Sequence, residues 1–241
     1  MLELKNISYE VSEENDNNKE ILKNINLTLD ERFIAITGPN GGGKSTLAKI
    51  IAGIVKPTSG TILLDGKDIT DFSITDRAKE GISFAFQQPV RFKGITVKDL
   101  ITYAVGHPIS TTEACGYLSE VGLCAKDYIN RELNNSLSGG EAKRIEIAMT
   151  MARGTSFSIF DEPEAGIDLW SFQSLIKVFE KMHDKSGGSI IIISHQERIL
   201  NIADKIVVLS NGEIINIGKK DDVLPGLLMD GPGCSVLTEK L

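Results

Sequence analysis

The chain has 241 residues, with 26 Lys and Arg against 33 Asp and Glu, a formal net charge of −7. With 41% hydrophobic and 24% charged residues it has the composition of a globular protein, which excludes a disordered, collagen-like or coiled-coil chain. A chain this long buries roughly 70% of its unfolded surface without disulfide or metal staples, and its acidic balance argues against a nucleic-acid binder that works by broad phosphate neutralisation.

Two runs of alternating apolar residues, 2–11 and 21–29, flank the polar stretch 12–19 and predict two antiparallel strands joined by an exposed loop. Residues 32–37 are short and apolar, the pattern of a buried strand, and run into glycines. From Lys44 onward Leu47, Ile50, Ile51 and Ile54 recur at helical spacing, and Gly53 and Pro57 close that helix. A strand over 61–64, a turn at Asp65-Gly66, a helix over 74–79 and a strand over 82–86 follow. Residues 96 to about 135 carry no strand pattern, and Leu118, Val121 and Leu123 are spaced as on a helix, so a helical subdomain is expected there. Ser138 is placed to cap a helix reaching about Arg153. After it come a strand over 157–160, an amphipathic helix over 169–185 and strands over 189–193, 205–209 and 213–217. Pro225, Gly231, Pro232 and Gly233 argue against a long helix in the tail.

Strands alternating with helices predict an α/β fold with a largely parallel sheet. The longest apolar run, residues 190–193, falls far short of the ~20 residues a membrane span needs. The N-terminus lacks a basic segment followed by an apolar stretch, so a cytoplasmic chain is expected. Cys115, Cys124 and Cys234 are odd in number and widely spaced, which suits a reducing compartment and makes them poor zinc ligands.

Three segments carry chemistry. Gly38-Pro39-Asn40-Gly41-Gly42-Gly43-Lys44-Ser45, with Thr46 following, fits G-x-x-x-x-G-K-S between a predicted strand and a predicted helix. Such a loop curls its N–H groups toward phosphate oxygens. Lys44 supplies charge to the β- and γ-phosphates, and the Ser45 hydroxyl suits Mg²⁺. The strand over 157–160 delivers Asp161 and Glu162 to its C-terminal end, either as a metal-shell ligand and a general base or as solvated acids at a strand end. Leu137-Ser138-Gly139-Gly140-Glu141 opens a helix, which could be a good cap or an exposed anion site.

The order and spacing of these three segments resemble those of an ATP-binding cassette (ABC) ATPase across the chain up to about Gly218. The resemblance implies a P-loop nucleotide-binding fold with a mixed sheet core, an antiparallel β part and a small helical subdomain. It also implies a single domain over 1–241: core 1–86 and 154–218, helical part about 87–153, tail 219–241. It implies ATP and Mg²⁺ as ligands, with Gly38 to Thr46 on the phosphates and Ser45, Gln87 and Asp161 at the metal. Glu162, Gln87 and His195 would serve hydrolysis, while Ser138, Gly139, Gly140 and Glu141 would act on the nucleotide of a second copy in an ATP-dependent head-to-tail homodimer. Gly166-Ile167-Asp168 matches the loop that crosses to that copy. Val11, with Tyr9 nearby, stands where the family usually stacks an aromatic on adenine.

Phe84-Ala85-Phe86-Gln87-Gln88-Pro89-Val90-Arg91-Phe92-Lys93-Gly94-Ile95 resembles the corresponding segment of SufC-type ATPases of iron-sulfur cluster assembly. Ser138-Gly139-Gly140-Glu141-Ala142-Lys143-Arg144-Ile145-Glu146 is similar to their S-G-G-E-x-K-R-x-E, and Ile129-Asn130-Arg131, Glu164, Gly166 and Val11 fit the same type. The resemblance implies a SufB/SufD-like scaffold as partner, docked on an exposed loop whose Val90 and Phe92 offer an apolar face. The short helical stretch and the tail from Lys219 depart from it, and Pro163 is the usual residue of the alternative, the ATP-binding subunit of a transporter working with an ABC permease.

Overall fold

The computed structural model describes residues 1–12, 18–134, 136–185 and 187–229. Cys234 and the tail residues Gly231, Pro232 and Gly233 lie outside them. Strands β1 (Leu2–Ser12), β2 (Asn18–Leu29), β4 (Ser59–Leu64) and β5 (Lys67–Asp68) form a four-stranded antiparallel sheet in the order β2-β1-β4-β5. The β1–β2 ladder runs from Leu2↔Leu29 out to Ser12↔Asn18, so it reaches further into the polar stretch than its composition indicates.

The second sheet has six strands in the order β10-β9-β3-β8-β7-β6. It consists of β3 (Phe33–Thr37), β6 (Ile82–Ala85), β7 (Phe157–Asp161), β8 (Ser189–Ile193), β9 (Lys205–Ser210) and β10 (Glu213–Lys219). All pairs are parallel except β10–β9, which makes the sheet mixed. Side chains on a strand alternate between faces, and in the central strands β3 and β8 both faces are buried. Ile34, Ile36, Ile191 and Ile193 enter one core with the antiparallel sheet and α1 (Lys44–Ala52). Phe33, Ala35, Ile190 and Ile192 enter the other, beneath α6 (Gly139–Arg153) and α7 (Leu169–Lys185). The central strands are therefore apolar at consecutive positions, Phe33 to Ile36 in β3 and Ile190 to Ile193 in β8.

Helices α3 (Val97–Val105), α4 (Thr111–Glu120) and α5 (Ala125–Tyr128) fill the stretch expected to be helical. Three reciprocal caps start α3, α4 and α6: Thr96 with Asp99, Ser110 with Glu113, and Ser138 with Glu141. In each, the cap oxygen accepts the N3 N–H and the N3 carboxylate accepts the cap N–H, satisfying two orphan donors. Buried Arg77, on α2 (Ile74–Lys79), donates to the Ile50, Ile51 and Thr70 carbonyls and so ties α2 to the negative C-terminal end of α1.

Two helices differ from the sequence expectation. The four-residue α8 (Glu197–Leu200) is too short to show a periodicity. The ten-residue α9 (Lys220–Met229) carries Pro225 inside it. Pro225 forfeits one backbone hydrogen bond, and the burial of Val223 and Leu224 against the core offsets that loss. Among the described residues no helix is long and apolar enough to cross a membrane.

Candidate active site

The loop from β3 to α1 is shaped by close backbone approach. A Cβ on Gly38 (φ 130°) would lie 1.9 Å from the Leu209 carbonyl oxygen, and one on Gly43 (φ 99°) would lie 2.7 Å from Leu22 Cδ2. Only glycine fits either position. Gly43 is the N-cap of α1 and no side chain caps that helix, so its first turn of N–H groups is available to an anion. Pro39, Asn40 and Gly41 lie exposed on the rim, and Thr46 is half-buried in the first turn. Lys44 is buried, and its Nζ donates to the Gly38 and Pro39 carbonyls at 2.8 and 2.9 Å, which folds the ammonium over the loop. Desolvation lowers its pKa, opposed by the charges of Glu162 and Asp161.

Parallel pairing of β7 with β6 and β8 brings three segments distant in sequence to one sheet end. Ser45 Oγ donates to Asp161 Oδ1 at 2.9 Å, so the two expected metal ligands already touch. Asp161 is buried, and desolvation raises its pKa. A hydroxyl beside one carboxylate, with no third His, Cys, Asp or Glu ligand among the described residues, fits Mg²⁺, which draws its remaining oxygens from water and nucleotide phosphates. Glu162 takes a left-handed φ of 44° where the chain leaves β7, and its N–H donates to the Ile193 carbonyl. Gln87 Nε2 donates to Glu162 Oε2 at 2.6 Å, and His195 Nε2 lies 3.7 Å from Glu162 Oε1. Desolvation and the Lys44 charge hold the His195 pKa below the usual histidine value, against the pull of Glu162.

The Ser138 end of α6 lies elsewhere. Ser138 Oγ accepts the Glu141 N–H, Glu141 Oε2 accepts the Ser138 N–H, and Glu141 Oε1 accepts from Tyr128 at 2.6 Å. Gly139 faces the Gly166 carbonyl, and Gly140 faces Ser171, whose N–H is capped by Asp168. Among the described residues no hydrogen bond joins Ser138 to Glu141 with the loop from Gly38 to Thr46. The structure thus gathers Lys44, Ser45, Asp161, Glu162, Gln87 and His195 together and leaves the Ser138 segment outside that group. Val11, near the end of β1, is 39% exposed and pairs with Lys19.

The ABC transporter family matches residues 22–165 of this sequence. The chain belongs to that family. It is an ABC ATPase, which binds ATP with Mg²⁺ and hydrolyses it. Over 215 residues it is 42% identical to an uncharacterized ABC transporter ATP-binding protein of Methanocaldococcus jannaschii, covering 86% of each chain. Over 235 residues it is 35% identical to the probable ATP-dependent transporter ycf16 of Pyropia yezoensis, covering 90% of this chain and 91% of that one. Among solved structures it resembles an ATP-binding cassette in a dimeric post-hydrolysis state bound to ADP and Pi, with TM-score 0.81 and 26% identity over 91% of this chain and 99% of that chain. It also resembles cbiO1 of Clostridium perfringens, part of the ABC transporter complex cbiONQ, with TM-score 0.77 and 29% identity over 95% and 92%.

Sequence reasoning missed four site neighbours of the cassette or left them without a role. Tyr128 completes the Glu141 contacts from the short helix α5, whose four residues show no pattern. Glu164 is half-buried beside Ser194, which donates to its Oε1, while its buried Oε2 has no hydrogen bond. Lys143 and Glu146 both reach back to Phe86. Phe92, expected on the exposed face of the loop, is half-buried against the helical core, with its N–H bonded to the Leu133 carbonyl. Val90 remains exposed.

Proposed function

We propose that two copies of this cassette close head to tail on two ATP molecules and thereby drive a partner protein through a change of shape. The observation that carries this reading is Glu162, set between Gln87 and His195 directly after the Asp161 that holds Ser45. Lys44 and the first turn of α1 neutralise and orient the β- and γ-phosphates. Ser45 and Asp161 would hold Mg²⁺ together with Gln87, and the ion would supply further charge neutralisation there. The Glu162 carboxylate takes a proton from the attacking water as its oxygen bonds to the γ-phosphorus. The bond from that phosphorus to the bridging oxygen then breaks, and that oxygen leaves on ADP. Gln87 orients the water through its contact with Glu162, and His195 donates to the γ-phosphate. Ser138, Gly139, Gly140 and Glu141 serve the nucleotide of the second copy, a role supported by the dimeric state of the similar cassette bound to ADP and Pi.

For the partner the first reading is a membrane permease, because the similar chains carry transporter names and cbiO1 is part of a transporter complex. A groove of about 480 Å³ lined by Ile74, Phe84, Phe86, Val90 and Tyr103 offers an apolar seat for a short helix of that permease. A second reading, a soluble iron-sulfur scaffold of the SufB/SufD kind, is favoured by Lys143 and Glu146. These two residues of the S-G-G-E-x-K-R-x-E pattern are drawn inward and engage the segment that carries Gln87. Either reading keeps the chain in the cytoplasm.

Glu162→Gln should retain ATP binding and lower kcat by about 10²–10⁴, whereas Lys44→Ala should weaken binding itself. Unchanged hydrolysis in the first variant removes Glu162 from the role of base. Capture on the tagged Glu162→Gln chain with ATP should recover the partner. A multi-span membrane protein supports the first reading, and a cluster-carrying soluble scaffold supports the second. Val90→Asp with Tyr103→Asp, both exposed, should abolish the complex and leave nucleotide binding intact.

A further inference from the structure

Phe86 is the first residue beyond β6, whose ladder with β7 ends at Ala85↔Phe160. Its backbone groups turn away from the sheet to one face of α6. Glu146 Oε1 accepts the Phe86 N–H at 3.1 Å, and Lys143 Nζ donates to the Phe86 carbonyl. Lys143 and Glu146 stand three residues apart on the helix, so they share a face, and Nζ lies 3.5 Å from Glu146 Oε2. The two side chains are only 2% and 15% exposed.

Stability alone does not account for this pair, because a buried ion pair is rarely more stabilising than apolar side chains of the same shape. An apolar pair could not satisfy the N–H and the carbonyl of one residue that has just left a sheet. The next residue is Gln87. Among the described residues Gln87 makes no backbone hydrogen bond of its own, and its amide reaches Glu162. The position of that amide is therefore inherited from Phe86.

We propose that Lys143 and Glu146 are positioning residues for hydrolysis, which clamp the main chain of Phe86 so that the Gln87 amide reaches Glu162. The clamp sits on the helix that opens at Ser138, so a movement of α6 when a second copy engages that end is carried to Gln87 within the same chain. This rests on the roles given above to Gln87 and Glu162 and on no particular partner.

Steady-state ATP hydrolysis and nucleotide binding by the full chain test it. Lys143→Met should lower kcat by about tenfold or more while KM and nucleotide affinity change by less than about threefold. Lys143→Arg, which keeps a donor for the Phe86 carbonyl, should recover much of that loss. Because Lys143 acts through Gln87, Lys143→Met should add less than about twofold to the defect of Gln87→Ala. An unchanged kcat in Lys143→Met, or a loss that multiplies with that of Gln87→Ala, overturns the clamp. An unchanged kcat in Gln87→Ala alone overturns the role of Gln87 instead, so the two failures are distinguishable. Should Lys143→Met not fold, Glu146→Met, which removes the acceptor of the Phe86 N–H, carries the same comparison, with a loss of about threefold or more that is likewise not additive with Gln87→Ala.

Discussion

Glu146, Asp161 and Glu164 each carry a raised pKa, and in each the largest cause is loss of water on burial. For Asp161 that cost is useful, since a desolvated carboxylate gains most when a cation arrives. For Glu164 no such gain is visible: Ser194 satisfies one oxygen and the other is buried without a hydrogen bond. A carboxyl whose pKa rises on folding binds more protons folded than unfolded. Its contribution to stability is therefore present below the ordinary value of 4.5 and is lost as pH climbs through the raised value. Glu164→Gln removes the buried charge and keeps an acceptor for Ser194. The nucleotide-free variant should melt a few degrees above the wild type at about pH 8, with the gain shrinking toward zero as pH falls below the ordinary value of 4.5. Calorimetry showing no gain at the higher pH contradicts this account of Glu164. Burial of this kind was not legible in the sequence, where Glu164 is one more acid after Asp161 and Glu162.

At the scale of elements, the cap of α6 places a structural demand on Ser138, beside the functional one proposed above. The hydroxyl accepts the Glu141 N–H, so Ser138→Ala should cost about 1 kcal/mol, which is a drop of about 2–4 °C in Tm for a chain of this size. If Ser138 serves only as a cap, hydrolysis at a temperature well below Tm should be unaffected. A role on the nucleotide of a second copy predicts a loss of hydrolysis far beyond that small destabilisation. Urea unfolding measured beside ATP turnover separates the two. The cap itself was legible, because Ser-x-x-Glu before an apolar run states its hydrogen bonds locally, and Thr96-x-x-Asp99 and Ser110-x-x-Glu113 do the same. The helix over Pro225 was not, because its stability comes from the contact of Val223 and Leu224 with the core and local propensity points the other way.

At the scale of the molecule, the Ser138 end of α6 lies outside the cluster of Lys44, Ser45, Asp161, Glu162, Gln87 and His195, and in the proposed assembly each chain would lend that end to the nucleotide of the other. Light scattering on the Glu162→Gln chain should therefore show twice the monomer mass with ATP and the monomer mass with ADP. A monomer at saturating ATP counts against the head-to-tail assembly. The glycine-rich loop, the two carboxylates after an apolar strand and the alternation of strands with helices were determined by local sequence, because backbone curl, strand burial and capping depend on neighbours a few residues away. Tertiary structure alone decided that Gln87 and His195 meet at Glu162, that Ser45 touches Asp161, and that Lys143 and Glu146 turn inward to hold Phe86. These contacts join residues far apart in sequence, and parallel pairing of β6, β7 and β8 and the packing of α6 bring them together. No period or spacing within one segment records where another segment will lie.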